Sequence, residues 1–179
     1  MIADLQNVAR EKTASVTLAL GTAALAVVGS AWAFQFAGYL PCQLCLWQRI
    51  PYYVAIPLLL GAGLIAFGGS LSKRALRAIL LVAGLIFVGS TLLAMYHSGV
   101  EWGFWPGPTS CGAGGNFSTT DANDLLGALS TTRPPSCNEA AGRFFGLSFA
   151  GWNVVASIGL SAACFLAATS VSNKSSNAK

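Results

Sequence analysis

Four long stretches almost free of charge constrain this chain more than any other feature. Ala14–Ala37, Ala78–Tyr96 and Leu147–Val171 carry no charged residue, and Leu46–Gly69 carries only Arg49, near its start. A helix crossing bilayer hydrocarbon needs about 20 apolar residues, so each stretch is long enough to span. Only 9% of all residues are charged, against about 25% in soluble domains, and the mean hydropathy is +0.62. The pattern predicts an all-α membrane protein. A single integral domain, residues 1–179, forms a four-transmembrane-helix bundle with spans near 14–37, 46–69, 78–96 and 147–171. Arg10, Lys12 and the Ala31-Trp32-Ala33 run imitate a cleavable signal. A signal's apolar core runs only about 7–15 residues, however, so the first stretch reads as a retained helix.

Basic residues set the orientation, because Lys and Arg accumulate on the cytoplasmic side of a membrane. Arg10 and Lys12 precede the first span, Lys73, Arg74 and Arg77 separate the second from the third, and Lys174 and Lys179 follow the fourth. Both termini are therefore expected in the cytoplasm, with a short loop near 38–45 and a long one near 97–146 facing out. The net charge of +4 is absorbed by this topology and leaves no nucleic-acid patch. In the long loop, Ser118 or Thr120 can cap a short helix reaching Leu129, whose leucines suit either the membrane surface or the protein itself. Trp102, Phe104 and Trp105 suit interfacial anchors.

Four of the five cysteines face outward: Cys42 and Cys45 in the short loop, Cys111 and Cys137 in the long one. On the extracytoplasmic side such thiols pair into disulfides. Three connectivities are possible on paper, of which Cys42–Cys45 is the most local and leaves Cys111–Cys137. Stapling disulfides are one reading, but a C-x-x-C bridge closes too small a loop to constrain the unfolded chain much. A four-cysteine zinc site is a second reading, weakened by the 26 positions between Cys111 and Cys137, and no metal is expected. An electron relay between two exchanging cysteine pairs is the third. Cys164 lies mid-span, where a thiol is usually an inert small hydrophobe.

Arg49 favours the relay. A charge inside a span is by default a functional hypothesis, although an arginine at a helix end can also snorkel to the interface. Cys45 and Arg49 stand at i and i+4, a spacing that shares a helix face. Cys45 also opens the second span, where the helix N-terminus favours negative charge. Both effects are expected to favour the Cys45 thiolate. A guanidinium beside a thiolate at the bilayer edge also makes a seat for a quinone carbonyl, since it supplies donors where reduction puts electron density.

The blocks "PCQLCLWQR", "YHSGVEWGFWPGPTSC" and "SCNEAAGRFFGLSFAGWN" within four spans resemble the bacterial disulfide bond formation protein B (DsbB) family. The resemblance implies a thiol:quinone oxidoreductase of the bacterial inner membrane with its active loops in the periplasm. Its partner is a periplasmic DsbA-like thioredoxin-fold oxidase, and its cofactor is a membrane quinone, ubiquinone or menaquinone. The DsbA–DsbB–quinone route is the one by which a bacterial periplasm is kept oxidising. By the same resemblance Cys111 and Cys137 exchange with the partner, and Cys137 then attacks the Cys42–Cys45 bridge at Cys42. Cys45 faces the quinone, with Arg49 and His97 as quinone-binding residues; an interfacial histidine without a role is the plainer reading of His97. Gln48 stands where some members carry Glu. Two other readings are weighed. A structural tetraspan protein with stapling disulfides has no use for Arg49 one turn below a C-x-x-C. A vitamin K epoxide reductase-like protein places its quinone-facing pair after the loop cysteines, and here that pair comes first.

Overall fold

The computed structural model describes residues 2–108 and 136–176. Cys111, Arg133 and the short helix expected over 118–129 lie outside the described residues. Helix α1 spans Ile2–Phe36, α2 Gln43–Trp47, α3 Ile50–Phe67, α4 Lys73–Glu101 and α5 Phe149–Ser176. A two-stranded antiparallel hairpin, β1 Arg143–Phe144 and β2 Leu147–Ser148, leads into α5. Among the described residues, four segments are long and apolar enough to cross a membrane: Glu11–Phe36, Gln43–Phe67 (α2 and α3 together), Lys73–Glu101 and Phe149–Val171.

The helices start and stop where the local chemistry dictates. Ser72 caps α4, its hydroxyl accepting the Ala75 N–H at 3.2 Å. At the site end, α1 and α4 stop at glycines with φ of 99° (Gly38) and 74° (Gly103), a left-handed turn that costs glycine no Cβ clash. The break between α2 and α3 follows from Pro51, which has no N–H to offer the Trp47 carbonyl. The hairpin turns on Phe145 and Gly146, both at positive φ (51° and 82°), the pairing that a two-residue I′ connection requires.

The principal packed pairs are α1 with α3 and α4 with α5, and α3–α4 and α1–α5 contacts close the ring. In lipid no hydrophobic force drives helices together, so close approach at small residues does the work. Between α1 and α3 this is reciprocal. A Cβ on Gly21 would stand 2.7 Å from the Leu60 side chain, and one on Gly63 would stand 2.6 Å from Leu18. Leu59, Leu80, Phe87 and Leu160 fill the bundle centre, whereas Leu25, Leu64, Leu85 and Leu166 point outward as a lipid-facing surface. Trp102, Phe104 and Trp105 are exposed beyond the end of α4.

Two boundaries move the site. The second span starts at Gln43, so Cys45 sits in the first turn of a helix and not in a loop. Helix α4 runs through Glu101, past the uncharged stretch that ends at Tyr96, and carries His97 and Glu101 on its last turns.

Candidate functional site

Pro41 leads the chain into Cys42, which has extended backbone (φ −76°, ψ 174°) and caps α2 with its own side chain. The Cys45 backbone N–H donates to Cys42 Sγ at 3.3 Å, and the two sulfurs lie 2.9 Å apart in hydrogen-bond contact. Both are free thiols. The most local of the possible disulfides is thus open here, with its two sulfurs already side by side.

The donors converge on Cys42. His97, buried on α4, places Nε2 3.5 Å from Cys42 Sγ. The hydrogen bond with Cys45 holds the Cys42 thiol well below the ordinary thiol range; burial opposes the shift, and the His97 and backbone contacts add to it. This corrects the expectation that Cys45 carries the favoured thiolate. The side-chain hydrogen bond from Cys45 leads that shift, the first-turn N–H that caps onto the sulfur adds to it, and Arg49 is not among its causes.

A buried chain of hydrogen bonds fixes the histidine from behind. Gln48 Nε2 donates to His97 Nδ1 at 2.7 Å, and Asn153 Nδ2 donates to Gln48 Oε1 at 2.8 Å. Tyr52 donates its hydroxyl to Asn153 Oδ1 at 2.6 Å and also meets Ser157 at 3.0 Å. With Nδ1 accepting, neutral His97 carries its proton on Nε2 and directs it at Cys42.

Arg49 points the other way. Its guanidinium donates to Gln35 Oε1 at 2.6 Å and to the Ala31 carbonyl at 3.4 Å, and lies 5.2 Å above the Trp32 ring. At 7% exposure it is buried against α1, not snorkelling to water. The expected pairing with Cys45 is therefore indirect: no hydrogen bond joins them, but both line one cavity of about 360 Å³ between α1, α3 and α5. The rest of its wall is mainly apolar, including Val28, Phe34, Phe149 and Trp152. Volume and lining match a small-molecule pocket, about 300–1,000 Å³ with a few placed polar groups.

A second, smaller cavity of about 130 Å³ lies against the other side of the C-x-x-C, lined by Cys42, Cys45, His97, Glu101 and residues 136 and 139–141. His97 faces this cavity and does not line the larger one. Cys137 is disulfide-bonded and fully buried in one cluster with Cys42, Leu44 and Val100. The segment that follows the long loop thus brings a cystine sulfur onto the C-x-x-C. Cys164 is buried in the bundle core among apolar residues, remote from this cluster.

Sequence reasoning placed Cys42, Cys45, Arg49 and His97 around one membrane end, and the structure gathers them there. It missed Gln35, Tyr52, Glu101 and Asn153, and passed over Gln48. The available signal was their polarity, because an amide or carboxyl at the margin of a membrane span needs a partner.

The fold and the site together define a multi-pass membrane protein with a buried C-x-x-C at one end of its helices, of the membrane disulfide oxidoreductase class. The chain belongs to the DsbB family: the family model described as "Disulfide bond formation protein DsbB" matches residues 13–167. No curated protein and no solved structure matches the chain.

Proposed function

We propose that the protein reoxidises a periplasmic DsbA-like oxidase and passes the electrons through Cys111/Cys137 and Cys42/Cys45 to a quinone of the bacterial inner membrane. The observation that carries this reading is the placement of the C-x-x-C between two environments. Cys42 clusters with Cys137 and lines only the smaller cavity, whereas Cys45 lines both that cavity and the larger apolar one with Arg49. A stapling role gains nothing from that placement.

The residues fit a quinone: a mainly apolar wall for the ring and tail, Arg49 for a carbonyl, and Cys45 at the rim. When bound, a quinone supplies a lipid-soluble acceptor of two electrons and two protons. On the protein side, the reduced partner opens Cys111–Cys137 by attack at Cys111. The Cys137 thiolate then attacks Cys42 of the Cys42–Cys45 bridge. The Cys137–Cys42 bond forms, the Cys42–Cys45 bond breaks, and Cys45 leaves with the electron pair beside Arg49. The partner's second thiolate attacks its own sulfur in the mixed disulfide with Cys111, so the partner leaves as a disulfide and Cys111 as a thiolate. Attack of Cys111 on Cys137 then restores the loop disulfide and frees Cys42 as a thiolate, which the Cys45 N–H and His97 Nε2–H receive. Loss of two electrons and the remaining protons from the dithiol re-forms Cys42–Cys45 and closes the cycle. A strong oxidant such as DsbA cannot be refilled from a glutathione-type poise, which makes a quinone sink chemically apt.

The test is quinone reduction by the purified protein, fed with a reduced thioredoxin-fold oxidase and compared with Cys45→Ser and Cys111→Ser. Turnover lost in both variants supports the relay. Cysteine pairs that never exchange, with no turnover on ubiquinone or menaquinone analogues, would return them to the role of staples.

A further inference from the structure

We infer that the dithiol form of the C-x-x-C is a binding site for a thiophilic divalent cation of the Zn²⁺ type, with Cys42, Cys45, His97 and Glu101 as its four ligands. In the sequence these residues read C-x₂-C followed by H-x₃-E. Zinc sites use this spacing form, here with a carboxylate in place of the last imidazole. The ligand atoms of Cys42, Cys45 and His97 lie within 4.8 Å of one another, and His97 Nε2 is 3.7 Å from Glu101 Oε1. Ligands around a tetrahedral zinc stand about 3.3–3.8 Å apart, from Zn–S near 2.3 Å and Zn–N or Zn–O near 2.0–2.1 Å. Small side-chain movements bring the four to that spacing.

A second observation points independently to a cation. Glu101 has a side chain only 5% exposed, yet its Oε2 has no hydrogen-bond partner. The Ser148 hydroxyl, which accepts the Gly151 N–H at 3.1 Å, interacts with the Glu101 carboxyl as a donor without meeting the geometry of a hydrogen bond to Oε2. An orphaned carboxylate oxygen in a buried site is costly, and here it belongs to a wall of the 130 Å³ cavity that all four ligands share. Exposed Glu139 lines the loop side of the same cavity and favours the entry of a cation.

Binding is acid–base chemistry without oxidation. Each Zn–S bond replaces an S–H bond where the sulfur still holds a proton, and that proton goes to water. A disulfide has no thiolate to offer, so the site exists only in the reduced protein. Metal on His97 Nε2 leaves the imidazole proton on Nδ1, where Gln48 must then accept it. The Gln48 and Asn153 amides can turn over together, because the Tyr52 hydroxyl accepts as readily as it donates. A glutamate at position 48 would accept that proton without any turnover, as in carboxylate–histidine–zinc triads. Inhibition by the metal rests on the relay proposed above; the site itself does not.

The reduced full-length protein in detergent is titrated with Co²⁺, which reports thiolate ligation by its charge-transfer absorption and tetrahedral geometry by its ligand-field bands. Expected is one Co²⁺ per chain, displaced by Zn²⁺ and absent from the oxidised protein. Glu101→Gln and His97→Ala should each weaken it at least tenfold, and Gln48→Glu should tighten it. The loop cysteines are indifferent to those three changes, so an affinity unmoved by them, or no thiolate band at all, overturns the site. Quinone turnover is measured on the same samples with Zn²⁺ and then chelator. Reversible inhibition supports the full inference, whereas metal binding without inhibition keeps the site and overturns the relay through these sulfurs.

Discussion

Gln48 and His97, 49 positions apart, are joined by a 2.7 Å hydrogen bond from the glutamine amide to imidazole Nδ1. The bond decides which nitrogen of His97 faces Cys42 as a donor. It is itself decided by Asn153, whose Nδ2–H occupies the Gln48 carbonyl oxygen.

His97 is the only histidine, so selective ¹⁵N-histidine labelling reports one imidazole. The wild-type protein is expected to show the Nε2–H tautomer. In Gln48→Glu the carboxylate can only accept, and the proton should move to Nδ1. Identical ¹⁵N shifts in the two proteins would contradict the assignment.

Asn153→Leu removes the group that ties Gln48 to Tyr52 and leaves both without that partner in the core. A loss of about 1–3 kcal/mol is expected for each buried polar group left unsatisfied. Thermal unfolding in detergent measures it, and a variant as stable as wild type would show that water or a rearranged amide replaces Asn153.

Arg49→Ala should raise the KM for quinone while leaving disulfide content unchanged, because Arg49 lines the apolar cavity and does not touch either sulfur. Arg49→Lys should not rescue it. A point charge cannot hold Gln35, Ala31 and the Trp32 face at once as the planar fork does. Unaltered KM in the alanine variant would remove Arg49 from the proposed quinone site.

The depressed Cys42 thiol sets a pH dependence of the reduced protein. The unfolded chain holds this proton up to the ordinary thiol range and the folded dithiol does not. Stability of the reduced form should therefore rise with pH between the two values. It should be lost as pH falls through the depressed one. Unfolding curves of reduced protein, oxidised protein and Cys42→Ser across that range test this, and only the first should carry the slope.

How much of this was legible follows from the range of each interaction. Four spans could be read because absence of charge over about 20 residues is a local, one-dimensional property. The C-x-x-C was legible for the same reason: its two cysteines are three positions apart. Asn153 and Tyr52, 101 positions apart, carry no mark of their pairing. Glu101 looked like a loop acid because charge ends an apolar run, although the helix continues beneath it.

By itself, then, the sequence determined that the chain lives in a bilayer as four helices and keeps four of its five cysteines outside the spans' middles, since lipid excludes charge and unpaired backbone from everything between. Only the tertiary structure decided which sulfur is served. The approach of α4 sets His97 against Cys42, and Gln48 at the end of α2 and Asn153 on α5 hold that histidine from behind. Arg49 meanwhile turns to α1. Those choices depend on distances between helices, which no local pattern encodes.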